Sequence, residues 1–509
     1  MILPRSVELA RRYQGHDFDH AGLSRITQRI AYLAASWRIP ASTGMGGACA
    51  LSRCNAVSLT ACDVPPAQKS FGPNVQHAVA HRDGPLLEVA AESFDLPVWF
   101  VARLAWFGAL YYCPVHPAPP PAHLERGAPP ELAAAAARAV ELREEGMRVV
   151  GRSTAHQKPR RVLLAGAAHH AGPPPDEGGG AVQTEPAEAR RGGYLRASCH
   201  PRRYPAAYEI PPGGWAQRIV ARGEGWVAAD KPAGVSVVPT GDNTKESLLY
   251  LVGRDLGLHS SDAQGEGGLL PTHRIDLCTE GVVVLATTRA FASAFNAVLS
   301  GRDASGALTK VYRALSWSPP PLGRAAHWCR TNVRVPGLPE HTEVYDAEAD
   351  GAVPCSLVVR GTREVDASAV PAHMRGGSSR GVEGSSVCYE SEIVLETGRT
   401  HQIRAQMAHM GCALVGDCLY EGLTGPLSVA ALASAQRERF AEAAAAGVQD
   451  DVRVLREPEG AVGLQAWRLE ATGVAAMGGD VALEAGAPWW RRSGRLRDGP
   501  QPVRDMRCL

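Results

Sequence analysis

From Trp226 onward the chain carries apolar strands and amphipathic helices that follow one another without a regular strand–helix–strand alternation. That irregular mixture points to an α+β fold and away from a doubly wound parallel sheet. Trp226-Val227-Ala228-Ala229 reads as a strand, Gly281 to Leu285 as a continuous apolar one, and Lys310–Trp317, Glu392–Glu396 and Val462–Trp467 as three more. Thr244 can cap a helix running through Leu251, with Glu246 favourable near its positive end. Arg289–Leu299 reads as an amphipathic helix stopped by Gly301, and Thr400–Met410 as one that Gly411 ends.

Ahead of Trp226 the pattern is sparser. Leu86, Leu87, Val89 and Ala90 have helical spacing, as do Val98, Val101, Ala102 and Ala105, with Asp95-Leu96-Pro97 as a break. Pro97 suits the first turn of the second helix, where its missing N–H costs nothing. Gly108 follows, then a short strand, Ala109-Leu110-Tyr111-Tyr112; Tyr194-Leu195-Arg196-Ala197 is another, trailed by Arg202-Arg203. Between them lie an alanine-rich helix near Pro130–Glu145 and a Gly/Pro-rich insertion from Gly166 to Gly180. A Gly/Ser-rich loop is expected at 362–385, an Ala-rich helix after Tyr420, and a frayed tail past Trp490.

A chain of 509 residues exceeds one compact core, since domains run to about 150 residues. Its formal net charge is +1, so any surface for an acidic partner must be local. Of 53 basic residues only five are lysines: Lys69, Lys158, Lys231, Lys245 and Lys310. Twelve cysteines show no Cys-x-x-Cys pair and no Cys/His spacing of the zinc kind, so reduced thiols and no metal are expected. The longest apolar stretch, Val98 to Cys113, is broken by Arg103 and falls short of the ~20 residues a bilayer requires, so no membrane partner is expected. From His20 to Ala61 there is no acidic residue while arginines recur at 25, 29, 38 and 53, which resembles an organellar transit peptide; Glu8, Asp17 and Asp19 argue against it. Plastid or mitochondrion stands beside cytoplasm or nucleus.

Three segments place polar groups at the ends of regular elements, where a rigid scaffold can hold them. In Asp230-Lys231-Pro232-Ala233-Gly234 a lysine before a turn can reach a phosphate, or be an ordinary surface lysine. His273-Arg274-Ile275-Asp276-Leu277-Cys278-Thr279-Glu280-Gly281 offers a base, a permanent cation and two carboxylates, or a hydrogen-bonded turn. In Thr397-Gly398-Arg399-Thr400-His401-Gln402-Ile403-Arg404, Thr400 can cap the helix, His401 and Arg404 share a face, and Ile403, Met407 and Met410 form its core stripe. A helix N-terminus with two arginines suits an anion; a solvated basic end is the structural alternative.

In this order the segments resemble the RluA-type pseudouridine synthases, RNA-modifying enzymes that isomerise uridine. The resemblance covers Trp226 to Trp467 and includes the Lys310-Val311-Tyr312 strand and the Gly416-Asp417 and Tyr420 positions. Cys278-Thr279-Glu280 is closest in look to the plant organellar branch. The resemblance implies a mixed, mainly antiparallel central sheet with flanking helices over 215–490, and a monomer acting on ribosomal or transfer RNA without a cofactor. A weaker one, carried by Leu86–Tyr112 and Gly193-Tyr194-Leu195-Arg196, implies a small S-four-like RNA-binding domain over 76–210, split by the insertion, with 1–75 as leader and 491–509 as tail.

The same resemblance implies roles. Asp276 is the catalytic carboxylate, adding to the anomeric carbon or abstracting a neighbouring proton. Arg404 offsets its desolvation, and can hold it bidentately. Tyr312, the second catalytic residue, stacks on the uracil and helps move a proton, with simple core packing as the structural alternative. Arg274 fills the space left by the flipped base. Arg399, His401, Gln402, Ile403 and Lys231 bind RNA or line the pocket; Lys310 neutralises a phosphate or supports the pocket, with a purely structural role as its alternative. Glu280 is expected to be structural, because a second acid managing water would release the uracil. A catalytically inactive RNA-binding protein on the same fold is the alternative.

Overall fold

The computed structural model describes residues 75–114, 116–117, 149–150, 160–164, 184–199, 201–258, 268–334, 340–371, 374, 387–420 and 460–492. All fall within the unit Pro66–Leu509. The helices expected near Pro130–Glu145 and after Tyr420, the Gly166–Gly180 insertion and residues 1–74 of the expected leader lie outside the described residues; Val75, its last expected residue, opens a strand.

The first described layer is β1 (Val75–Val79), α1 (Leu86–Phe94), α2 (Val98–Phe107), β2 (Leu110–Cys113) and β3 (Tyr194–Ser198). Asp95 ends α1 in the left-handed conformation and Gly108 ends α2 the same way, its N–H bonding back to Ala105. Pro97 precedes α2 as its N-cap rather than lying in its first turn. The strands pair antiparallel in the order β1–β3–β2, with Arg160–Arg161 on the far edge of β2.

The second sheet has eleven strands. Its elements are β4 (Ile219–Gly223), β5 (Trp226–Lys231), α3 (Leu248–Asp255), β6 (Glu280–Ala286), α4 (Arg289–Leu299), β7 (Ala307–Ser316), β8 (Gly323–Val333), β9 (His341–Tyr345), β10 (Val353–Asp366), β11 (Val387–Leu395), α5 (Gln402–His409), β12 (Leu464–Val474) and β13 (Gly479–Glu484). The spatial order is β4–β5–β6–β12–β7–β11–β10–β8–β9; Leu270–Pro271 also pairs with β6, and β13 with β12. Every pairing in this sheet is antiparallel except β6 with β12, so the expected mainly antiparallel α+β sheet is the one observed. Among the described residues no helix is long and apolar enough to cross a membrane.

β6 is buried along its whole length because it separates two apolar cores. Val283 and Leu285 face the core that takes Leu248 and Leu251 of α3 with Ile403 and Met407 of α5, while Val282, Val284 and Ala286 face the one under Phe291 and Phe295 of α4. Each fully buried Val or Leu contributes about 1.5–3 kcal/mol. A strand covered on both sides reads as continuous apolar sequence, which is why it was legible. Gly281 has φ 124°, and a Cβ there would collide with the backbone of Ala466, so the parallel crossing to β12 requires glycine.

Three other expectations are corrected. Thr244 does not cap α3; its N–H and hydroxyl both donate to the carbonyl of Phe107 at 2.8 and 3.0 Å, joining α2 to the larger sheet, and Ser247 caps α3 by accepting from the N–H of Tyr250. The loop expected at 362–385 begins later, because Thr362 to Asp366 continue β10 in register with Ser391 to Val387. The tail is not frayed immediately after Trp490. Residues 489–491 form a 3-10 turn in which the indole of Trp490 and the guanidinium of Arg491 donate to Glu390, and Arg492 pairs with Glu280 at 2.8 Å; 493–509 lie outside the described residues.

Candidate active site

The segment before β6 is fixed from below. Thr272 donates its hydroxyl to the carbonyl of Val284 at 2.7 Å, and the N–H of Val284 donates to Nε2 of His273 at 3.0 Å. Burial, and then the charge of Lys310, pull the His273 imidazole down to about 3, so at neutral pH it is an uncharged acceptor rather than a general base. The N–H of Thr279 returns to the carbonyl of Asp276 at 3.1 Å, and that of Gly234 donates to Leu277 at 2.8 Å. Asp276 is thereby held at the mouth of the turn with 17% of its side chain exposed.

Lys231 is fully buried, its Nζ donating to the carbonyls of Pro232, Val235 and Leu277 at 2.9, 2.9 and 3.2 Å. The expectation that it reaches a phosphate is corrected: it ties the turn after β5 to the segment carrying Asp276. Burial pulls it down to about 7, against the opposing charges of Cys278, Asp276 and Glu280.

Arg404 on α5 is also fully buried. Its Nε and Nη2 grip Asp417 at 2.7 and 2.9 Å, and Nη1 points at Oδ2 of Asp276, 3.5 Å away. The bidentate partner is therefore Asp417 and not Asp276 as expected: one edge of the guanidinium is used in the core, and the remaining nitrogen faces the candidate carboxylate. Burial opposes the charge of Arg404, but Asp417 with the groups around it keeps its pKa well above the ordinary value. Tyr420 covers the pair, its ring centroid 5.2 Å from the guanidinium carbon. Its hydroxyl accepts from the N–H of Thr342 at 2.8 Å and meets Nδ1 of His401 at 3.0 Å. Nε2 of His401 is then 3.9 Å from Oδ1 of Asp276.

His401 starts α5 in the left-handed conformation, φ 52°, and makes no capping bond through its side chain; nor does Thr400, whose carbonyl accepts from Thr342, so the expected Thr400 cap is corrected. Gln402 does the work of ordering this end. Its amide oxygen accepts from the N–H of Arg399 and the hydroxyl of Thr397, and its amide nitrogen donates to Ser356 and Gln406. With every amide position engaged and the residue buried, Gln402 is structural rather than RNA-facing. Ile403 belongs to the core below, which corrects that expectation as well. Arg399 is exposed.

A cleft of about 610 Å³ opens above this floor, lined by Arg274, Asp276, His401, Asn332, Thr240 and Arg202 among others. Arg274 and Arg202 are exposed. Tyr312, 8% exposed, lies in the core beneath; burial and then the charge of Asp276 push its phenol up, so it keeps its proton at neutral pH. Glu280 is buried, accepts from the N–H of Trp489 and pairs with Arg492, matching the structural role expected of it. Sequence reasoning quoted Asp417 and Tyr420 without giving either a role. The Gly-Asp pair was visible, but its link to Arg404 needs the fold. Thr240 and Asn332 carry no local signal, and Arg202 shows only as half of a basic pair without a role.

One trio among the described residues, His327, Asp346 and His409, is close enough to hold a metal ion. The Gln402–Gln406 chain aims the Gln406 amide N–H at Nδ1 of His327, 2.8 Å away, so the neutral ring carries its proton on Nε2 and offers no open lone pair. The described cysteines are free thiols.

The family model for RNA pseudouridylate synthase matches residues 225–409, the stretch that carries Asp276, His401 and Arg404. The chain is 33% identical over 432 residues to RNA pseudouridine synthase 6, chloroplastic, of Arabidopsis thaliana, covering 82% of this chain and 81% of that protein. The protein of the same description in Oryza sativa subsp. japonica is 31% identical over 434 residues, covering 82% and 80%. Ribosomal large subunit pseudouridine synthase D of Pseudomonas aeruginosa is 28% identical over 205 residues, 40% of this chain and 53% of that one. The chain therefore belongs to the RluA-type RNA pseudouridine synthases, isomerases that act on RNA.

Proposed function

We propose that Asp276 is the carboxylate through which this chain converts a uridine of plastid ribosomal or transfer RNA to pseudouridine. The observation that carries this is the cleft carboxylate faced by Nη1 of a guanidinium that Asp417 immobilises. The chloroplastic names of two relatives support the compartment, and the bacterial ribosomal name supports the RNA class.

In this reading RNA binds across the cleft and the target uridine swings out, at a cost of a few kcal/mol. Arg274, exposed at the wall, occupies the space it leaves. The bond from the anomeric carbon to the uracil nitrogen breaks, the base turns, and the anomeric carbon bonds to C5, whose hydrogen leaves as a proton while the freed nitrogen takes one up. The isomerisation is redox-neutral and uses no cofactor. Asp276 adds to the sugar or removes a neighbouring proton, and both routes use the same geometry. Arg404 supplies a fixed counter-charge that costs no reorganisation during the reaction. The neutral phenol of Tyr312 supports the detached base from below. The first described layer acts as an S-four-like RNA-binding region.

The test is tritium release from [5-³H]uridine-labelled plastid ribosomal and transfer RNA. Wild type is expected to release tritium from one pool; retention of RNA with no release from any pool makes this an RNA-binding protein without catalysis.

A further inference from the structure

Four residues of the smaller sheet stand directly opposite one another across its strands: His77 on β1, Arg196 on β3, Tyr111 on β2 and Arg161 on the edge. Being in register they share one face, in a row about 14 Å long at the usual strand spacing. Leu195 and Tyr112, one position along, point to the other face and are buried. The guanidinium of Arg196 lies 4.1 Å from the Tyr111 ring centroid, and that of Arg161, 5.4 Å from it, donates through Nε and Nη2 to the Tyr111 hydroxyl at 3.2 and 2.9 Å, so one cation sits by the ring and another by its hydroxyl. Arg196, Tyr111 and Arg161 are all partly exposed, and among the described residues neither arginine has a carboxylate partner.

The row joins the catalytic cleft. The Tyr111 hydroxyl donates to the carbonyl of Gly241 at 2.7 Å, and Nη2 of Arg161 donates to that of Thr240 at 3.0 Å. Thr240, Gly241 and the exposed Arg202 line the same cleft as Asp276. We propose that this row is the track on which single-stranded RNA beside the target uridine leaves the cleft, its phosphates meeting Arg196 and Arg161 and a base stacking on the Tyr111–Arg196 plane. Cations without carboxylate partners among the described residues, beside an aromatic ring and continuous with the cleft of an RNA-modifying enzyme, match a nucleic-acid strand in both charge and shape. The inference rests on the proposed reaction for its direction, not for its binding surface.

The test compares full-length wild type and Arg196→Gln, binding fluorescent oligouridylates of about 6 and about 30 nucleotides. The longer probe should bind wild type more tightly. Arg196→Gln should weaken it about tenfold and lower its salt slope by about 0.7, leaving the shorter probe unchanged. Crosslinking of 4-thiouridine RNA to wild type, which needs no substitution, should label peptides containing Tyr111 or Tyr194–Ser198. Equal affinity of both proteins for the longer probe, equal loss on both probes, or labels confined to Arg274–Asp276 overturn the proposal. Tritium release measured alongside separates the two readings: release without the Arg196 effect sinks the track alone, and the Arg196 effect without release sinks the reaction alone.

Discussion

At the scale of single residues, the site depends on how Arg404 divides its nitrogens between two carboxylates. Asp417 is fully buried, so Arg404→Met strands a charge in the core, which typically costs about 3–5 kcal/mol. The double variant Arg404→Met/Asp417→Asn should recover most of that stability in urea titrations while tritium release stays absent. Recovery of activity together with stability would show that Arg404 acts only as a prop. His273 gives a pH dependence. It is lowered from an ordinary 6.5 to about 3, so the unfolded chain binds the extra proton between those values. Its stabilising contribution is complete above pH 6.5 and falls as the pH drops toward 3, by about 2 kcal/mol at pH 5. In His273→Gln the amide oxygen can still accept from Val284, so the stability gap between wild type and variant should shift by that amount between pH 7 and pH 5. An identical gap at both would contradict a neutral imidazole accepting from Val284.

At the scale of elements, the limits of sequence reading are set by partners distant in the chain. β6 and α4 were legible because continuous apolar sequence and a helical stripe are local properties. The start of α5 was placed too early. Thr400 has the chemistry of a cap, but the chain turns through a left-handed His401 and Gln402 ties the turn to β10. Gln402, Ile403 and Lys231 were assigned to RNA because a motif marks residues without saying which way they face. All three point into the protein. Asp276 and Arg404 were named correctly as neighbours, but the bidentate geometry belongs to Asp417, invisible without the fold. The 489–492 segment was missed because its anchors, Glu280 and Glu390, lie far upstream. Ending the chain after Gly486 should therefore leave two buried carboxylates short of donors and lower the melting temperature, by about 2 °C or less per kcal/mol for a chain this large. An unchanged melting temperature would show that the segment merely rests on the surface.

At the scale of the whole molecule, a net charge of +1 hides an uneven distribution. Arg274 and Arg202 at the cleft, with Arg161 and Arg196 beyond its rim, form a local cationic path across two sheets joined at Phe107 and Thr244. RNA affinity should fall steeply between 50 and 200 mM salt, since each phosphate neutralised on a single strand steepens the salt slope by about 0.7. A salt-independent affinity would contradict that path. The measurement bearing most directly on the account is tritium release by Asp276→Asn, made with RNA retention on the same preparation. Retention like wild type and no release above background are expected. Release at the wild-type rate from a variant lacking that carboxylate would contradict it.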